Sequence, residues 1–173
     1  MSGVRRRSAL MVTGLLVVAG AGAFGGDPAY AQAQDAQKQI DQIRSVLPKF
    51  AIPMREVGDR FQNMYHAAKG GNWALAAYMS KYMNGAMNPA SVTKPAEYPI
   101  WKNFYDNTFA PTNKAIQAKD FKAFDGAYSN VVKACNGCHQ SMGYTFIEVT
   151  KLGAPVDPGM DYKKASEPGD VPP

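Results

Sequence analysis

The residues that decide the fold are 120–139, which read DFKAFDGAYSNVVKACNGCH. Asp120 is a typical helix N-cap. The apolar residues after it recur at alternating steps of three and four, which predicts an amphipathic helix. This stripe consists of Phe121, Phe124, Tyr128, Val131, Cys135 and Cys138. The two cysteines therefore share a helix face with the aromatic residues expected to form the core.

The stretch ends in Cys135-Asn136-Gly137-Cys138-His139, two cysteines three apart with a histidine directly after the second. This spacing is typical of c-type haem attachment, where each thiol bonds to one vinyl group and the imidazole ligates the iron. The chain has no other cysteine. We therefore predict one covalently attached haem c, with its iron, bound by Cys135, Cys138 and His139.

Two other kinds of site use a Cys-x-x-Cys pair. A structural zinc site needs further ligands, and the rest of the chain offers only His66 and no additional cysteine. A thioredoxin-like redox site opens a helix after a strand, and no strand pattern precedes residue 135. Both alternatives are disfavoured on these grounds.

Residues 1–31 have the pattern of an export signal. Arg5, Arg6 and Arg7 precede an apolar stretch, Ala9 to Phe24, and Ala29-Tyr30-Ala31 has small residues where a signal peptidase reads them. We predict cleavage after Ala31 and a periplasmic protein with no stable membrane insertion. A retained anchor is the alternative, but the apolar stretch is shorter than the roughly 20 residues that span a bilayer.

The remaining chain, about 142 residues, is enough for one domain. Three arginines and one aspartate lie in the predicted signal, so the mature chain keeps a small positive charge without long runs of like charge. This pattern does not indicate nucleic-acid binding. Residues 32–52 are predicted to form a lead-in segment or short helix, 53–150 the helical domain, and the proline-rich residues 151–173 a tail that wraps the surface or is disordered.

Strand patterns are nearly absent, and the helical domain divides into four amphipathic segments. Besides the helix that follows Asp120, helices are predicted from Pro53 to Gly70, from Trp73 to about Met87, and from about Glu97 to Ala118 with a kink one turn before Pro111. Four helices joined mostly by short turns predict an all-α, antiparallel four-helix bundle, with the haem near one end.

Bundle topology ranks the candidates for the second axial ligand. The end of the last helix should lie beside the start of the first and the end of the second. Haem there meets Met54, Met83 and Met87. Met54 is preferred because it lies one turn into its helix on the apolar stripe, although it would also suit packing against the porphyrin. His66 lies twelve residues further on, about 18 Å at 1.5 Å per residue, which disfavours a bis-histidine site.

An export signal, a helical chain of this size and a Cys-x-x-Cys-His motif near the C-terminus resemble the class II c-type cytochromes, which include cytochromes c prime and cytochromes c-556. The resemblance covers roughly residues 48–145. It implies a four-helix bundle, thioethers at Cys135 and Cys138, and iron ligation by His139. Many class II members have a basic residue four positions after the histidine, where this chain has Gly143. This departure, with the unmatched tail, points to a divergent branch.

We therefore expect an electron carrier and not an enzyme. If His139 and a methionine fill both axial positions, the protein exchanges single electrons with periplasmic or membrane-bound redox proteins. The alternative is a five-coordinate protein that binds small diatomic gases such as NO or CO. Peroxidase chemistry needs a distal base and a cation, and only Arg55 lies near Met54. The family resemblance also implies a homodimer through the helices that begin at Pro53 and Trp73.

Overall fold

The computed structural model describes residues 28–172. This part of the chain contains helices and no strand, which confirms the all-α class. The helices are α1 (Pro28–Val46), α2 (Ala51–Gly70), α3 (Trp73–Ala86), α4 (Ala90–Thr93), α5 (Tyr98–Asn103), α6 (Ala110–Ala118) and α7 (Phe121–Ser141). A π-helical turn, Phe104–Thr108, joins α5 to α6, and a 3-10 turn, Pro168–Asp170, lies near the end.

The predicted export signal falls mostly outside the described residues, including its apolar stretch Ala9–Phe24. Helix α1 begins at Pro28, so the predicted cleavage site after Ala31 lies in its first turn. All residues of α1 are exposed. The chain divides into two compact units, one ending at Lys38 and the other beginning at Gln39. Between residues 28 and 172, no helix has both the length and the apolar character required to cross a membrane.

A short turn makes α2 and α3 antiparallel neighbours. Gly71 ends α2 in the left-handed region at φ 90°, which glycine adopts without steric cost. The side chain of Asn72 then caps α3 by accepting the Leu75 amide at 3.0 Å. The end of α2 at Gly70 and the start of α3 at Trp73 agree with the predicted bounds. Helix α2 begins at Ala51, two residues before the predicted start at Pro53. Proline is tolerated in the first turn because its missing amide hydrogen has no partner there.

The predicted kinked helix from Glu97 to Ala118 is divided in the structure into α5, the π-helical turn and α6, and the interruption lies close to the predicted kink. Pro111 has no N–H to donate four residues back, and its ring crowds the preceding turn. The chain widens at this point, and the amide of Phe109 donates to the carbonyl of Phe104, five residues earlier, at 3.0 Å. The π-helical turn brings the Tyr105 hydroxyl 2.9 Å from Ser80 Oγ of α3.

Helix α7 packs on α2 through aromatic side chains, and the pairs fix the direction of packing. Asp120 caps α7 by accepting the Ala123 amide at 3.0 Å. Tyr65 lies 6.2 Å from Phe124, and Phe61, one turn earlier in α2, stacks on Tyr128 at 4.0 Å between ring centroids. Successive turns of α2 therefore meet successive turns of α7 in the opposite order. The two helices are antiparallel, and their shared face forms part of the core.

The C-terminal tail, residues 151–172, is bound along α2 and the start of α3. Asn63 is almost fully buried, and its Oδ1 accepts the amides of Val156 and Asp157 at 2.9 and 3.1 Å. The side-chain amide of Asn72 donates to the Asp161 carbonyl at 2.7 Å. Side-chain amides of Asn63 and Asn72 thus satisfy backbone groups of a segment that has little regular secondary structure of its own. Of the two predicted states of the tail, the described residues have the surface-bound one.

Gly70 leaves room for this tail, which gives a testable prediction. A Cβ at position 70 would collide with the backbone of Tyr162. We expect Gly70→Ala to displace the tail and destabilise the protein by about 1–3 kcal/mol, the usual cost of overpacking. Gly85→Ala is the control, since nothing lies near its Cβ and alanine in a helix gains up to about 1 kcal/mol over glycine. Urea denaturation and limited proteolysis of the tail measure the difference. Equal stabilisation by both changes would contradict the prediction.

Candidate haem-attachment site

The last two turns of α7 contain the cysteine pair. Cys135 is partly buried against the core, Cys138 is exposed, and both thiols are free. They are three positions apart in the sequence, about 4.5 Å along the helix axis, so they lie on neighbouring positions of one face. Burial raises the pKa of Cys135 to about 12, with a smaller contribution from Cys138. The free thiol is therefore protonated near neutral pH.

His139 has one ring nitrogen occupied by the protein. Its Nδ1 lies 3.1 Å from the carbonyl oxygen of Ile147. A carbonyl oxygen only accepts hydrogen bonds, so Nδ1 carries the proton and donates it. The other nitrogen, Nε2, then has its lone pair available, which is the tautomer that an iron ligand requires.

Residues 143–149, here called the strap, bring that carbonyl to His139. Gly143 follows α7 with φ 84°, and the Tyr144 amide donates to the His139 carbonyl at 2.7 Å. The chain thereby reverses and returns alongside α7. The side chain of Asn136 then forms two hydrogen bonds with the backbone of Val149. Asn136 Nδ2 donates to the Val149 carbonyl at 3.0 Å, and the Val149 backbone amide donates to Asn136 Oδ1 at 2.7 Å.

The three candidate methionines lie at the same end of the molecule as the cysteines. Continuing the antiparallel register of α2 and α7 by two turns brings Met54 opposite Cys135. Met54 is partly buried, whereas Met83 and Met87 are fully buried. All belong to, or pack against, one core cluster with Cys135. Met54 is therefore the most accessible of the three thioethers.

The elements that meet at this end also leave large apolar side chains exposed. Ile52 at the start of α2 is 67% exposed, Ile100 in α5 is 48% exposed, and Phe146 in the strap is 80% exposed. The groups that would bind a haem here are the two free thiols on one face of α7 and the imidazole that follows them. These residues fit a haem held by two thioethers and one imidazole.

A zinc site does not fit the same residues. Among residues 28–172, no group of three or more histidine, cysteine, aspartate or glutamate side chains is arranged to hold a metal ion. Zinc in a structural site takes four ligands in tetrahedral geometry. Cys135, Cys138 and His139 would need a further ligand that the surroundings do not supply.

His66 lies at the opposite end of α2, beside the tail. Its ring packs edge-on against Tyr65 at 5.5 Å and against Tyr162 of the tail at 6.3 Å. Tyr65 in turn contacts Phe121 at the start of α7, far along that helix from the cysteines. The position of His66 thus supports the sequence argument against a bis-histidine site.

The environment of His66 predicts how stability depends on pH. Its Nε2 is buried without a hydrogen-bond partner, and burial lowers the pKa of the imidazole below 6.5, assisted by the charge of Lys69. The folded state then binds fewer protons than the unfolded state in this range. We expect the free energy of unfolding to be unaffected by His66 well above pH 6.5, and to fall as the pH drops from 6.5 through the folded-state pKa.

Urea denaturation across this pH range measures the effect, with His66→Phe as the comparison. The variant keeps an apolar ring against Tyr162 but cannot be protonated. The difference in pH dependence between the two proteins isolates the contribution of His66. An identical slope for both proteins would show that the imidazole is not responsible.

Comparison of the chain with protein-family models, with curated proteins and with solved structures gives no match in any of the three. The function must therefore be inferred from the chain's own residues and their geometry.

Sequence reasoning missed the residues that support His139. Gly143 departs from the family pattern, but a glycine directly after a helix is also a signal for a left-handed cap and a chain reversal. Asn136 occupies a variable position of the motif, and its partner Val149 is thirteen residues away. No spacing rule connects such a pair, so only the folded chain reveals it.

Proposed function

We propose that this protein is a periplasmic mono-haem c-type cytochrome that carries single electrons between redox partners. In this proposal α2, α3, the α5–α6 segment and α7 form an antiparallel four-helix bundle, and residues 1–31 are removed on export. Cys135 and Cys138 hold haem c covalently, and His139 is the proximal iron ligand. Periplasmic or membrane-bound redox proteins are the partners, and a homodimer through α2 and α3 is its proposed assembly.

One observation carries the proposal: the hydrogen bond from His139 Nδ1 to the Ile147 carbonyl. Histidines that ligate metals almost always donate their second ring nitrogen to a carbonyl, carboxylate or water. Here the histidine that does so follows the second cysteine of the only cysteine pair in the chain. The local geometry and the motif thus support the same role independently.

The side chains around the motif support electron transfer over catalysis. Bound haem c supplies one-electron chemistry by the change between ferric and ferrous iron. Met54, as the axial partner of His139, would occupy the second position and raise the reduction potential. A peroxidase would need a cation beside the distal face, but Arg55 is exposed and lies 3.8 Å from Asp59 along the same helix. Its guanidinium is directed to solvent and away from the core.

A second candidate function is the binding of small diatomic gases. It is favoured by the incomplete burial of Met54, whose side chain would then pack over the iron without bonding to it. Small ligands such as NO or CO would enter beside it. The two functions differ only in whether the second axial position is filled by the protein.

Carbon monoxide and a matched pair of variants distinguish the two functions. We expect the reduced wild-type protein to be low-spin and not to bind CO, and Met54→Leu to be high-spin and to bind it rapidly. Leucine conserves the side-chain volume of methionine, so the free energy of unfolding should change by less than about 1.5 kcal/mol. Met64→Leu, two to three turns further along α2 and fully buried, is the control and should behave as wild type.

The other outcomes are equally informative. Rapid CO binding by the wild type would establish the gas-binding alternative. A Met54→Leu protein that remains low-spin would exclude Met54, and Met83→Leu and Met87→Leu would then be compared. A purified chain with no Soret absorbance would refute the cytochrome proposal altogether.

A further inference from the structure

We propose that Asn136 is a positioning residue for His139, acting through the strap. The inference rests on the proposed function, because its consequence is the orientation and basicity of an iron ligand. It assigns a role to one of the two residues between the cysteines, which the haem-attachment motif leaves unspecified.

The side chain of Asn136 pairs with the backbone of the strap through one donor and one acceptor, as the backbone of a neighbouring β-strand would. Both polar groups of its side chain are used by the backbone of Val149, one donating at 3.0 Å and the other accepting at 2.7 Å. Two bonds in opposite directions fix the peptide in position and in orientation. A single bond would leave it free to rotate.

The position of Val149 determines where the Ile147 carbonyl lies. The two residues are two apart in the strap, and their partners Asn136 and His139 are one helical turn apart in α7. The strap therefore runs antiparallel to α7 and contacts it at two successive turns. The other end of the strap is tied by the Tyr144 amide, which donates to the His139 carbonyl at 2.7 Å. The Ile147 carbonyl is thus held from both sides.

This carbonyl sets two properties of His139. Because the Ile147 carbonyl accepts a hydrogen bond from Nδ1, the imidazole has the tautomer in which Nε2 is free. The same hydrogen bond limits rotation of the ring about the bond to Cβ. It also raises the basicity of the imidazole, which favours ferric over ferrous iron when the histidine is a ligand. Loss of the Asn136 side chain would weaken both effects and leave Cys135, Cys138 and His139, the residues proposed to bind the haem, unchanged.

Asn136→Ala tests this role in the mature protein purified from the periplasm. Asn130→Ala is the matched control, since Asn130 is an exposed asparagine of the same helix and alanine favours the helix equally at both positions. The first readout is hydrogen exchange of the strap, which does not depend on iron chemistry. The second is the reduction potential together with the iron–histidine vibration of the reduced protein.

We expect the strap amides of Asn136→Ala to exchange at least about tenfold faster than in wild type, because two hydrogen bonds are lost. The reduction potential should rise and the iron–histidine frequency should fall. Asn130→Ala should leave all three unchanged. Asn136→Asp keeps the acceptor for the Val149 amide but not the donor, and its strap amides should exchange at an intermediate rate.

Each contrary result has a definite meaning. An unchanged rate of amide hydrogen exchange in the strap of Asn136→Ala would show that Asn136 does not hold the strap in place. Faster exchange with an unchanged potential and vibration would show that Asn136 only stabilises the strap, and would overturn its positioning role. A wild-type chain without covalently bound haem would overturn the proposed function, and the positioning role with it, whatever the exchange data show.

Discussion

Replacing both Cys135 and Cys138 by alanine is expected to abolish covalent haem attachment completely. Each thioether bond requires one thiol, and the chain has no other cysteine to substitute. The wild-type protein, expressed in a periplasm that attaches haem c, should gain the mass of one haem and retain it under denaturing conditions. The double variant should have the mass of the polypeptide alone. Mass spectrometry of the denatured proteins measures the difference.

The single variants and a neighbouring control sharpen this test. Cys135→Ala and Cys138→Ala should each retain at most one thioether, with a shifted absorption spectrum. Ser141→Ala, at an exposed position one turn beyond Cys138, should gain the haem mass normally. Far-ultraviolet circular dichroism checks that the helices persist, since Cys138 is exposed and Cys135 only partly buried. Haem mass in the double variant would contradict the assignment of both cysteines.

The largest expected loss of stability comes from Tyr128→Ala. The ring is fully buried, stacks on Phe61 at 4.0 Å and lies 4.9 Å from Tyr65. Its hydroxyl donates to Gln62 Oε1 at 3.2 Å, and burial raises its pKa, so that it stays protonated. Removing the ring should cost about 3–5 kcal/mol, as for other large aromatic residues in cores.

Two comparisons separate the contributions of the ring and the hydroxyl. Tyr128→Phe keeps the packing and should cost only about 1 kcal/mol, the net value of one hydrogen bond. Phe146→Ala removes an aromatic ring that is 80% exposed and should have little effect. Chemical denaturation of the three proteins gives the free energies of unfolding. A loss in Tyr128→Ala no greater than in Tyr128→Phe would mean that α2 and α7 do not pack through this ring.

Tyr128 also illustrates how far the sequence predicts the core. The three-four spacing of Phe124, Tyr128 and Val131 predicted their shared face, and all three are buried. The spacing did not predict that Gln62 would accept from Tyr128 while also accepting the Leu152 amide of the tail at 3.1 Å. The spacing of apolar residues in a helix predicts which face is buried, but not which polar side chain of another helix will form hydrogen bonds with that face.

The break between α5 and α6 shows a second limit of prediction from the sequence. Pro111 identified the place where a regular helix cannot continue, because proline lacks an amide hydrogen. Whether the chain kinks, breaks or widens depends on what the neighbouring side chains can satisfy. Here the π-helical turn brings Tyr105 to Ser80 of α3 at 2.9 Å. The hydrogen bond formed by the π-helical turn therefore involves Ser80, which precedes Tyr105 by 25 positions in the chain.

The sequence by itself determined most of the helical segments, the Asp120 cap, the all-α class and the cysteine pair followed by histidine on the last helix. These features arise from interactions within one or two turns, such as Asp120 with the Ala123 amide, so local residue order is enough to specify them. The tertiary structure alone decided the path of the tail, the strap and the carbonyl that orients His139. Those contacts join residues from 8 to more than 90 positions apart. Their partners are selected only when packing of the core brings distant backbone groups within hydrogen-bonding distance.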